Sequence, residues 1–165
     1  MKTKFMRTFA SSALAVLALS ACSTTSSSSA AGYHVPSSST STPPSSSPAS
    51  NADAATASTK LGTIIVDGKG MTAYVYLKDT ANSGVSTCTG SCSSAWPAIT
   101  SKSATPSVTA ITGTVGITKT GQQITINGLP IYTFASDSAP GDTNGQGVGN
   151  VWFVLSAGGQ KITTK

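Results

Sequence analysis

The chain has 165 residues, of which 38% are hydrophobic and only 9% charged, with a single histidine and three cysteines. Its formal charge of +5 belongs largely to the first seven positions: without Lys2, Lys4 and Arg7, seven lysines face five aspartates, or +2. No basic cluster with interleaved aromatics remains, which argues against nucleic acid as a partner.

Residues 1–21 read as an export signal. Lys2, Lys4 and Arg7 form its basic end, and the apolar stretch Ala13 to Leu19 is too short to span a bilayer. It closes in Leu19-Ser20-Ala21-Cys22, which has the form of a bacterial lipobox. Small residues there admit the signal peptidase, and the Cys22 thiol accepts diacylglycerol. The expected mature protein starts at an acylated Cys22 and faces away from the cytoplasm, held to the cell envelope by lipid rather than by a spanning helix. Ser23, the next residue, permits sorting to an outer membrane in a cell that has one.

Residues 22–59 are rich in Ser, Thr, Ala and Pro, with Pro36, Pro43, Pro44 and Pro48 scattered among them. Such a stretch buries too little apolar surface to offset its ordering entropy, so a disordered tether is expected. His34, beside Tyr33, reads as a solvated residue of that tether.

The folded part is expected at residues 60–165, as one small all-β domain. Leu61 to Val66 ends in Asp67-Gly68 and is followed by Met71 to Leu77; Gln123 to Ile126 ends in Asn127-Gly128 and is followed by Leu129 to Ala135. Both pairs favour turns because their residues tolerate positive φ. Thr109 to Lys119, interrupted by Gly113 and Gly116, and Val151 to Ser156 read as further strands. Pro130 lacks an amide donor, which points to an edge or strand-start position.

These elements repeat. YVYLKD at 74–79 and YTFASD at 132–137 spell Tyr-x-aromatic-x-x-Asp twice, each before a Gly-containing loop that closes on a tryptophan, Trp96 or Trp152. Two tandem units follow, about 60–108 and 109–158. LGTIIVDGKGMTAYVYLKD, CTGSCSSAWPAI and INGLPIYTFASDSAPGDTNGQGVGNVWFVLS together resemble the repeats of a bacterial lipoprotein family, the secreted repeat of unknown function with a Yx(FWY)xxD motif. The resemblance assigns motif positions to Tyr74, Tyr76, Asp79, Tyr132, Phe134 and Asp137. It implies lipidation and an envelope location, and it implies no established activity.

In an extended strand Tyr74 and Tyr76 share one face while Val75, Leu77 and Asp79 share the other, so a Tyr–Asp bond within one copy is disfavoured. Two structural readings remain: pairing between copies, with Asp79 meeting Tyr132 and Asp137 meeting Tyr74, or core aromatics with each Asp capping the turn after it. Both are preferred here to a ligand site. Asp142-x-Asn144-x-Gln146-Gly147 resembles the front of an EF-hand loop, but its twelfth position is Phe153 where a Glu is needed. A calcium site of another kind would use Asp137, Asp142 and Asn144.

With Cys22 lipidated, Cys88 and Cys92 form one even pair in an oxidising compartment and are expected as a disulfide. The rivals are a thiol-redox pair and a soft-metal site in which Met71 would join the two cysteines. Residues 60–165 contain no His, Glu or Arg, so no Ser-His or Cys-His arrangement can be assembled, and an enzyme is disfavoured. A pair of aspartates acting as a glycosidase is the one catalytic form left open. The expectation is a non-catalytic envelope protein without cofactor, structural or binding a cell-wall or glycan component, with extracytoplasmic redox or copper handling as the alternative.

Overall fold

The computed structural model describes residues 51–164. The export signal, Cys22 and most of the tether, including His34, lie outside the described residues. In chain order the described residues form β1 (Ala54–Thr59), β2 (Gly62–Asp67), β3 (Tyr74–Tyr76), a five-residue helix α1 (Ser91–Ala95), β4 (Val115–Ile117), β5 (Ile124–Ile126), β6 (Leu129–Tyr132) and β7 (Trp152–Val154), with a 3-10 turn at Val148–Asn150. The architecture is all-β, as expected, with strands β1-β2 in one ribbon and β4-β5-β6-β3-β7 in a five-stranded sheet.

The folded part begins earlier than expected. β1 occupies residues assigned to the tether, and Ala54–Thr59 pairs residue for residue with Asp67–Gly62 of β2. Its sequence, AATAST, lacks the aliphatic run that announces a strand. Its small side chains are what the site admits: Ala54 is fully buried in the core, and Asp53 N and Thr109 N tie the strand to the chain near residues 107–109.

Two other expectations are corrected. The strand expected at Thr109 to Lys119 shrinks to β4, because Ala110 takes φ 59° and Thr109 and Thr112 donate instead to Ala54 O and Ala157 O. Pro130 lies in β6, an interior strand, as its second residue. It stands opposite Thr125, one step from the pair Ile126–Leu129 that closes the Asn127-Gly128 turn. Pairs alternate between bonded and non-bonded in an antiparallel ladder, so position 130 requires no amide donor toward β5. Asn127 and Gly128 have φ 51° and 80°, the two positive values that a tight hairpin turn demands.

The strands are buried on both faces at Ile64–Val66 of β2 and along most of β3, β5, β6 and β7, while β1 and β4 are mainly half-buried. Ile65, Val75, Ile124, Ile126, Ile131 and Leu155 pack in an aliphatic layer, and Ile64, Val66, Tyr74, Trp96, Tyr132 and Trp152 in an aromatic one. Neighbours such as Ile64, Ile65 and Val66 alternate between the two, which is why the strands read as continuous apolar runs.

The two repeats meet around a pseudo-twofold at Tyr74 and Tyr132, which face each other across β3 and β6. Contacts recur in exchanged form. Ala98 stands opposite Tyr132 as Val154 does opposite Tyr74, and Thr100 pairs with Gln123 as Ser156 pairs with Ile64. Ala135 N donates to Ala95 O as Leu77 N donates to Val151 O.

Candidate functional site

The motif residues converge on this axis. β3 ends at Tyr76, and Asp79 N donates to Tyr76 O in a tight turn, as Asp137 N does to Phe134 O. The turn swings each aspartate back to the aromatic side, where an extended strand would have pointed it away. There the copies exchange partners: Tyr74 Oη donates to Asp137 Oδ2 at 2.7 Å, and Tyr132 Oη to Asp79 Oδ2 at 2.5 Å.

Each aspartate also holds its own loop. Asp79 Oδ1 accepts from Thr87 N at 2.7 Å and from Thr87 Oγ1 at 2.6 Å; Asp137 Oδ1 accepts from Asn144 N at 2.9 Å. Pairing between copies and turn capping, set out above as rivals, occur together on the two oxygens of one carboxylate. Both aspartates are buried, and neither has a cationic partner among the described residues. Hydrogen bonds to the charged form are what makes such burial tolerable.

The phenols are held in their neutral form. Burial, then the bond to Asp137, raises Tyr74 above the ordinary tyrosine range, although Gly145 N donates to its oxygen at 3.2 Å. Burial and the bond to Asp79 likewise raise Tyr132. Its single proton is committed to Asp79, so the Ser86 hydroxyl, 2.7 Å away, acts as donor in that contact. Thr87, Ser86 and Gly145 are not singled out by the sequence, and Asn144, read there as a possible calcium ligand, instead donates its backbone amide to Asp137. Gly145 has a legible reason to be glycine, since a Cβ there would lie 2.8 Å from the Tyr74 ring.

Above these bonds the rings form a column. Tyr76 stacks on Trp152 at 4.3 Å, Trp152 on Trp96 at 3.8 Å, and Trp96 on Phe134 at 4.2 Å. Tyr74 meets Trp96 edge-on at 5.4 Å and Tyr132 meets Trp152 at 5.2 Å. Trp96 and Trp152 are 5% and 4% exposed, too little to offer a ring face to a ligand.

Cys88 and Cys92 are joined in a disulfide. It closes the turn into α1, and Cys92 O accepts from Trp96 N at 2.8 Å, so the cross-link sets the approach of that tryptophan. Cys88 N donates to Ser86 Oγ at 3.1 Å, which links the disulfide to the Tyr132 end of the network. Met71 lies in the β2–β3 turn, its amide on Asp67 Oδ1. It does not pack with the aromatic layer that holds both cysteines. In the loop read as a possible calcium site, Asp142 Oδ2 accepts from Ser138 N and Ala139 N, while Asp137 is engaged by Tyr74 and Asn144.

The model of one protein family matches twice, over residues 55–100 and 114–156, and its description is a secreted repeat of unknown function. The two matches take in more than half of the chain. The chain belongs to this family. The first match starts within β1, in keeping with the earlier start of the fold, and each match carries one half of the Tyr–Asp exchange. Comparison with curated proteins and with solved structures gave no match. No helix among the described residues is long and apolar enough to cross a membrane.

Proposed function

We propose that the protein is a lipid-anchored, non-catalytic module of the cell envelope, in which the secreted repeat serves as a compact scaffold. Acylated Cys22 holds it to the membrane and the tether sets the domain outward, toward cell-wall material. One observation carries the reading of the domain: Tyr74, Tyr132, Asp79 and Asp137 are buried and spend their bonds on each other and on their own loops. A catalytic or ligand-gripping pair would need a face open to its target. The closed disulfide, tied to Trp96 through the Cys92 carbonyl, supports a structural role for the cysteines rather than copper handling, which needs free thiolates.

The experiment is a comparison of the full chain with Cys22→Ser in its own cell. Labelling with a clickable fatty acid and fractionation are expected to put the parent in the membrane fraction with label, and the variant outside it without label. Label retained by Cys22→Ser would defeat the anchor. Alkylation is expected to reach Cys88 and Cys92 only after reduction; free thiols in the exported protein would defeat the structural role given to them.

A further inference from the structure

The two halves differ at one edge. In the second half the C-terminal segment lies beside β7: Leu155 pairs with Lys161, Ile162 N donates to Val154 O at 2.8 Å, and Ile162 packs on the aromatic layer. Gln146 completes this edge. Its Oε1 accepts from Val154 N at 2.8 Å, and its Nε2 donates to Ile162 O at 2.7 Å and Thr164 O at 2.9 Å.

Ala98 is the counterpart of Val154 in the first half, by its place opposite Tyr132. It is exposed, and among the described residues neither its N–H nor its C=O meets a protein partner. The disulfide-closed α1 lies here where the second half has the Gln146 loop, and among the described residues no segment pairs along this edge as Gln160–Thr164 does in the second half. What remains is an open groove of about 370 Å³ whose walls include Trp96, Tyr132, Cys88, Thr100, Thr120 and Gln122. No charged side chain lines it.

We propose that this groove binds an extended peptide segment of a partner protein, which pairs with the Ala98 backbone as a short added strand and turns an uncharged side chain into the groove beside Thr100. The counterpart edge shows the chemistry in part: Gln160–Thr164 lies along it and donates Ile162 N to Val154 O, while Val154 N is met by Gln146 Oε1, a group that the first half lacks and that an incoming strand's carbonyl would replace. A free N–H and C=O on one extended residue form half of a ladder rung, and strand addition completes it. The uncharged lining suits a neutral inserted face. Sugar binding is less suited, since it uses exposed ring faces and Trp96 is 5% exposed. The inference rests on the non-catalytic reading of the domain, and on neither its lipid anchor nor its location.

The test is a titration of the full chain, in detergent, with a synthetic peptide Gly-Gly-Gln-Lys-Ile-Thr-Thr that copies residues 158–164, followed by amide and indole NMR. Saturable shifts centred on Ala98, Thr100 and the Trp96 indole are expected. The same peptide N-methylated at its isoleucine cannot donate the ladder bond and is expected to bind about tenfold more weakly. Ala98→Pro removes an amide that makes no bond within the fold and is expected to weaken binding similarly. Should that variant not fold, the N-methylated peptide still decides the question. Absence of saturable shifts, or equal binding of the two peptides, overturns the proposal. Shifts confined to Val154 and Gln146 would mean displacement of the chain's own C-terminal segment and also overturn it. So would shifts at Ala98 and Thr100 from an N-acetylglucosamine oligomer with none from the peptide. Failure here is separable from failure of the scaffold reading, which the Tyr74 and Tyr132 variants below test through stability alone.

Discussion

Trp96 and Trp152 stack face to face, ring centroids 3.8 Å apart and planes within 3°, one tryptophan from each repeat. They are the two tryptophans of the chain, so any coupling of their transitions reports this contact alone. The circular dichroism of the folded protein is expected to carry an indole exciton couplet. Trp96→Phe and Trp152→Phe should each abolish it while leaving a folded domain. A couplet that survives in either variant would contradict the stack.

The exchanged Tyr–Asp bonds are expected to count nearly equally. Tyr74→Phe or Tyr132→Phe leaves a buried carboxylate short of one donor, a loss of about 1–3 kcal/mol. Urea denaturation measures both, and similar losses are the signature of the pseudo-twofold. Adding Asp137→Asn to Tyr74→Phe should cost less than the sum of the single changes, because both remove the same bond. Strict additivity would mean that the bond contributes nothing.

Alkali should unfold the protein in a way that these phenols control. Their folded pKa values are raised above the ordinary value of 10.0. The neutral, buried form is thus stabilised in full below about pH 10, and that contribution is lost as pH rises from there toward the folded values. Above about pH 10 the unfolded chain holds fewer protons, so the free energy of unfolding falls with pH. Phenolate absorbance from Tyr74 and Tyr132 is expected to rise together with loss of the Trp couplet. A doubly substituted Tyr74→Phe, Tyr132→Phe protein should show a shallower alkaline slope, although its stability at neutral pH is lower.

Reduction of Cys88–Cys92 should weaken the domain without dissolving it. The loop spans a sequence separation of only 4 residues, for which chain entropy gives about 2 kcal/mol. A thermal scan with and without a dithiol is expected to show a lower midpoint on reduction and an indole signal that changes with it, since Cys92 O holds Trp96 N. An unchanged midpoint would remove the staple role.

Much of this was legible in the sequence. The duplicated Tyr-x-aromatic-x-x-Asp, the turn pairs Asp67-Gly68 and Asn127-Gly128, and the β-branched runs carry local physics that acts within a few residues. The exchange of Tyr74 with Asp137 is one option in the sequence because strand alternation disfavours the partner within the copy, although the turn after Tyr76 in fact returns Asp79 to the aromatic side. What sequence left open was whether the same carboxylate also caps its loop, since that depends on where Thr87 and Asn144 fall after a turn. β1 is hidden in the sequence because AATAST has the composition of the stretch before it, and only its pairing with β2 makes it a strand. Pro130 by itself points to an edge or a strand start, and its place near the start of an interior strand is legible only through the Ile126–Leu129 register that sets the ladder's bonding phase.

The exchange of partners between Tyr74, Asp79, Tyr132 and Asp137 also sets how the domain comes apart. In solenoid arrays each unit leans only on its neighbours, and unfolding can creep inward from an end. Here one half alone would keep a buried carboxylate and a buried phenol, both without their counterpart. Neither half is expected to melt first, and the pair should unfold as one unit.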